Sequence, residues 1–123
     1  MESQPEDAVN VEQMRTSSKP VLLAVDNDVQ ALATIEHELV GRYASGYRVV
    51  CEASAEAGLR TLARCKASGE DVALLLADQW MPEMTGADFL GRARRAFPTA
   101  RRALLVAWGP GAIRTPARRS FGR

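Results

Sequence analysis

Two short apolar runs, each stopped by an acid, constrain this chain more than any other feature. Val21-Leu22-Leu23-Ala24-Val25 runs into Asp26-Asn27-Asp28, and Val72-Ala73-Leu74-Leu75-Leu76-Ala77 runs into Asp78. Neither run alternates polar with apolar residues. Unbroken apolar runs of this length fit strands buried on both faces, the setting of a parallel sheet covered by helices.

Around these runs the period changes. Val29, Leu32, Ile35, Leu39 and Tyr43 recur at helical spacing behind Asp28, a good capping residue. Tyr47-Arg48-Val49-Val50-Cys51 reads as a second strand. Ser54 caps a helix carrying Leu59, Leu62 and Ala63, which ends at Ser68-Gly69. Gln79 to Gly86 is a loop shaped by Pro82 and Gly86. Thr85 and Asp88 have the spacing of a capping box before Phe89, Leu90, Ala93 and Phe97, and Pro98 stops that helix. Ala103-Leu104-Leu105-Val106-Ala107 is a fourth strand. The order (βα)3β predicts an α/β fold, a doubly wound parallel sheet with helices on both faces.

In such sheets ligands bind outside the carboxyl ends of the strands. Asp26, Asn27, Asp28 and Asp78 collect there, and their carboxylates repel one another unless a cation joins them. Hard oxygen ligands from two loops suit Mg²⁺, which keeps several waters and binds through few carboxylates. A carboxylate beside such a cation acts as a nucleophile toward a phosphoryl group. Asp78 is therefore a candidate phosphoryl acceptor and Asp26 a candidate metal ligand.

Residues 1–18 are polar and acidic and read as a flexible leader. Residues 109–123, with prolines, glycines and arginines and no acid, read as an irregular tail. The domain expected between them spans 19–108. A net charge of +1 hides an asymmetry: residues 1–90 carry every acid, and residues 91–123 carry nine arginines. Aromatic interleaving in that end is sparse, with Trp108 and Phe121 only, which argues against a nucleic-acid binder. The chain is 46% hydrophobic and 25% charged, an ordinary globular balance. No run reaches the roughly 18 apolar residues of a membrane span, and no apolar signal core precedes the domain, so a cytoplasmic location is expected. Cys51 and Cys65 form no Cys-x-x-Cys pair, and His37 has no second ligand near it in sequence.

Val21 to Asp28, with Leu74-Leu75-Leu76-Ala77-Asp78-Gln79-Trp80-Met81-Pro82-Glu83-Met84-Thr85-Gly86, resembles the receiver domain of bacterial two-component response regulators. The Asp-x-x-Met-Pro-x-Met-x-Gly stretch is the specific part. The resemblance covers about residues 19–108 and implies a flavodoxin-like sheet of order 2-1-3-4-5. It implies a phosphorelay module, not an enzyme, that takes phosphate from a histidine kinase or phosphotransfer protein. Asp78 matches the phosphorylated aspartate and Asp26 the first of the family's acidic pair. Asn27 stands where the second acid belongs, which implies weaker Mg²⁺ binding. Trp80 matches the position whose backbone carbonyl binds the metal.

Other positions depart from the family. Val106 stands where a Thr or Ser hydroxyl is expected to contact the phosphoryl group. No lysine follows Lys66, and no fifth strand or last helix is recognisable, so the receiver looks incomplete and its site degenerate. A phosphate-independent interaction module is the alternative. Lys19 to Asp26 and Ala73 to Gln79 also resemble the receiver segment of fusions with thioredoxin-reductase-like flavoproteins, which implies such a module as a partner. Leu22 to Asp28 resembles the first motif of haloacid-dehalogenase-like phosphatases, with Asp26 as nucleophile. That family needs a later lysine and acids, and no acid follows Asp88. An unpaired strand 103–107 would present an apolar edge, so a dimer through that edge is expected.

Overall fold

Val21 to Val25 form β1, and all five residues are buried. Such a strand needs a neighbour on each edge and a helix on each face. The computed structural model describes residues 19–106 and supplies all four. The chain runs β1 (Val21–Val25), α1 (Val29–Tyr43), β2 (Arg48–Glu52), α2 (Ala55–Ala67), β3 (Val72–Asp78), α3 (Gly86–Ala96) and β4 (Arg101–Leu105). The strand order is β2-β1-β3-β4, and every pairing is parallel. This is the expected doubly wound α/β sheet, with the flavodoxin-type order over its four described strands. The expected leader 1–18 and tail 109–123 lie outside the described residues, as do Ala107 and Trp108.

Alternate residues of β1 serve opposite layers. Val21, Leu23 and Val25 join Leu62, Cys65, Leu75, Phe89 and Leu90 beneath α2 and α3. Leu22 and Ala24 join Leu32 and Leu39 beneath α1. The helices begin where capping residues stand. Asp28 accepts from the Gln30 and Ala31 N–H groups, Ser54 from Ala57 N–H, and Thr85 from Asp88 N–H. Gly69 closes α2 at φ 73°, a left-handed conformation that glycine adopts without steric cost.

Three strand boundaries differ from the sequence expectation. β4 spans 101–105 rather than 103–107, because Arg101 and Arg102 enter the ladder opposite Leu74 and Leu75. An edge strand tolerates charged side chains that a buried strand would not. β2 begins at Arg48 rather than Tyr47. Tyr47 belongs to the preceding turn, where its N–H donates to Tyr43 O and the two rings meet edge to face at 6.0 Å. β3 includes Asp78, which pairs with Leu105.

Phe89 is fully buried and is the largest such side chain. Phe89→Ala is expected to cost about 3–5 kcal/mol through lost burial and the cavity left behind. A urea titration followed by far-ultraviolet circular dichroism measures it, with Phe89→Leu as the milder control.

Candidate functional site

The β1–β3 register places Val25 beside Ala77, so the next residues, Asp26 and Asp78, come side by side at the carboxyl edge. Asp26 is only 5% exposed. Its Oδ1 accepts from Asp28 N–H at 2.9 Å, which folds the turn back on the acid. Asp28 itself is exposed and committed to α1, its Oδ1 accepting from Gln30 N–H at 3.0 Å and Ala31 N–H at 3.2 Å. The cap role that the sequence suggests for Asp28 is the one it fills.

Asp26, Asn27, Asp28, Asp78, Trp80 and Val106 all line one open pocket of about 630 Å³. Every site residue singled out in the sequence is thus brought together. The wall opposite the acids was not foreseen. It consists of Ala31, Thr34 and Ile35 on α1, with Leu105 at the end of β4. The signal existed, since 31, 34 and 35 share the i, i+3, i+4 spacing of one helix face.

Asp78 is held by the loop that follows it. Gln79 N–H donates to Leu105 O at 3.0 Å, tying β3 to the end of β4. Gly86 N–H donates to Gln79 O at 3.1 Å, and Ala87 N–H to Gln79 Oε1 at 3.1 Å. A Cβ on Gly86 would lie 2.5 Å from Asp78 O, so only glycine lets α3 start this close to β3.

The buried Asp26 carboxyl and the half-buried Asp78 carboxyl are electrostatically strained. Burial raises the Asp78 carboxyl above its ordinary value, and the neighbouring Asp26 charge raises it further, while a Trp80 N–H bond opposes the rise. Burial raises Asp26 as well, with a hydrogen bond from the Asp28 N–H opposing and the Asp28 charge adding. Each carboxyl also lies within hydrogen-bonding reach of the other. A cation between them would relieve both costs.

Among the described residues, no group of three His, Cys, Asp or Glu is arranged to hold a metal ion. The donor set is two carboxylates, Asp26 and Asp78, beside the Asn27 amide and the Trp80 backbone. Mg²⁺ is commonly held by one or two carboxylates with waters and a phosphate, so this set fits a weakly bound Mg²⁺. Trp80 is half exposed at the pocket rim. Neither lysine reaches the pocket: Lys19 Nζ donates to Ala44 O and Lys66 Nζ to Ala96 O. His37 is exposed on α1. The Cys51 thiol is pushed up to about 11 by burial and then by Glu36 and Glu52, which keeps it protonated near neutrality.

No known family profile matches the sequence, and no curated protein matches it at a comparable level. Solved structures do match. The signal receiver domain of an HD domain-containing protein from Pseudomonas fluorescens Pf-5 is 25% identical with a TM-score of 0.60, over 72% of this chain and 60% of that one. The receiver domain of the hybrid histidine kinase CckA is 26% identical with a TM-score of 0.55, over 68% and 72%. A CheY-like receiver domain protein from Methanospirillum hungatei JF-1 is 24% identical with a TM-score of 0.56, over 76% and 68%. The chain spans 57% of the uncharacterized Neptuniibacter caesariensis protein and 60% of the Pseudomonas chain, so it matches part of their length. The described residues share the fold of response-regulator receiver domains.

Raised folded-state values mean that the native domain keeps protons the unfolded chain has released. That contribution favours folding at acid pH and is lost as pH rises through the folded values. Asp78→Asn is therefore expected to raise the neutral-pH Tm by a few degrees without added metal, and the advantage should shrink as pH falls. Differential scanning calorimetry across pH checks both statements.

Proposed function

We propose that this domain is a phosphorelay receiver in which Asp78 accepts a phosphoryl group from a histidine kinase or phosphotransfer protein. The observation that carries the reading is the desolvated Asp26–Asp78 pair in an open pocket at the carboxyl edge of a receiver-type sheet. An Asp78 carboxylate oxygen attacks the phosphorus of a phosphohistidine. The new O–P bond forms as the N–P bond breaks, and the histidine nitrogen leaves with the electron pair and takes up a proton. The domain receives and holds the group; it is not itself an enzyme.

Asp26 and Asp78 would hold Mg²⁺, with the Asn27 amide oxygen and the Trp80 carbonyl as neutral donors. Bound there, Mg²⁺ would neutralise charge on the transferred group. The Trp80 N–H on Asp78 orients the attacking carboxylate, and the β4–Gln79–Gly86 hydrogen bonds keep its backbone fixed. Asn27 supplies no charge, and Val106 offers a methyl surface where a hydroxyl would bind the phosphoryl oxygen. Each missing charge-assisted contact is worth about 1.5–3 kcal/mol, so the site is a degenerate, slow acceptor.

Those same two residues favour a second reading, a pseudo-receiver that binds partners without phosphate. Under either reading the module works in the cytoplasm, and a flavoprotein reductase-like module is a further partner implied by its sequence resemblance. No helix among the described residues is long and apolar enough to cross a membrane.

Intact-mass analysis after incubation with Mg²⁺ and acetyl phosphate tests the acceptor. One hydroxylamine-sensitive phosphoryl adduct is expected, absent in Asp78→Asn and reduced about tenfold in Asp26→Asn. Val106→Thr should raise the yield. An adduct that survives Asp78→Asn overturns the assignment. No adduct in wild type or in the Asn27→Asp, Val106→Thr double variant favours the pseudo-receiver.

A further inference from the structure

β4 has only β3 as a neighbour among the described residues, none of which pairs with its other side. The sheet face beside it is thinly covered as well. α1 packs on β1 and β2, whereas α3 packs on β3 and β4 from the opposite face. Leu74, Leu76, Ala103 and Leu105 are left half-buried on the α1 side of that region.

The same region is basic and electrostatically unsatisfied. Arg101 is exposed and Arg102 half-buried on β4, and Arg92, Arg94 and Arg95 are exposed on α3. None of these forms an ion pair among the described residues, although Arg42, Arg48 and Arg60 elsewhere do. Natural edge strands carry charge to discourage pairing, but a row of one sign discourages only partners of that sign. A second copy docking through β4 would bring both sets of arginines to one seam. A nucleic acid would answer the charge and leave the strand edge and its half-buried leucines unused.

We propose that the β4 edge docks an acidic, extended segment of a partner protein, which adds to the sheet as a further strand. Backbone hydrogen bonds to β4 would supply affinity, and alternate side chains would divide the remaining work. Apolar ones lie beside Ala103 and Leu105 on the α1 side, and acidic ones on the other side meet Arg102 and the arginines of α3. Leu105 also lines the Asp78 pocket, but strand addition needs no phosphoryl group, so failure of either leaves the other standing.

The test uses the full chain and a short fluorescein-labelled peptide of alternating Val and Glu. Fluorescence anisotropy should show saturable binding, weakened about tenfold by raising salt beyond physiological strength, where exposed charges are screened. Arg102→Glu, and separately Arg92→Glu with Arg94→Glu, should each weaken binding about tenfold. Amide hydrogen exchange at residues 101–105 should slow when the peptide binds. The α3 variant lies on an exposed helix surface and keeps the test valid if the β4 variant folds poorly.

Absence of binding overturns the proposal, as does equal binding of an acidic peptide interrupted by prolines, which cannot pair as a strand. Equal protection of 101–105 by a single-stranded oligonucleotide overturns it in favour of nucleic acid. Concentration-dependent protection in the free chain overturns it in favour of a dimer. Protection in the free chain that disappears when Glu2, Glu6, Asp7 and Glu12 are changed to Gln assigns the edge to the chain's own N-terminal segment instead.

Discussion

The burial of β1 on both faces is the constraint from which the rest of this molecule follows. A strand with no exposed side chain cannot sit at a sheet edge or under a single helix layer. It recruits β2 and β3 on its flanks, α1 on one face, and α2 and α3 on the other. Its length also decides where polarity can resume. The first residue past the apolar run is Asp26, and the parallel register with β3 brings Asp78 to its side. The acid pair is thus a product of sheet geometry and not of any local motif.

That pair is costly to the domain. Two carboxyls are partly desolvated against each other, and both are pushed toward their protonated forms. Strain of this kind is a recurrent feature of functional sites. Here it coincides with an open pocket, a braced loop and a glycine whose contact with Asp78 O excludes any side chain. The rest of the pocket is less polar. Asn27 and Val106 occupy two positions of the pocket wall, and the lysines are engaged with helix-end carbonyls elsewhere.

Much of this was legible in the residues because parallel strands advertise themselves as unbroken apolar runs. β1 and β3 were plain for that reason, and the caps at Asp28, Ser54 and Thr85 marked the helix starts. Asp26 and Asp78 followed as strand-end acids. β4 was displaced by two residues because Arg101 and Arg102 do not look like strand residues until their edge position is known. β2 was displaced because the Tyr47 ring, strand-like by propensity, packs on Tyr43. The strand order came from family resemblance, since periodicity carries no information on which strands adjoin. The Ala31–Thr34–Ile35 wall depends on how α1 rotates over the sheet, a tertiary property. The basic β4 edge was visible only as an arginine-rich end; its meaning required the order of the described strands.

The central claim is that Asp26 and Asp78 form a working ligand site with Asn27 and Val106 beside them. A two-dimensional amide spectrum of the full chain, titrated with Mg²⁺ and then with beryllofluoride, a mimic of the phosphoryl group, tests it most directly. The account predicts that the amides of Asn27, Trp80 and Val106 shift with each addition, and that Asp78→Asn abolishes the beryllofluoride shift while staying folded. A well-dispersed wild-type spectrum that ignores both additions would contradict it.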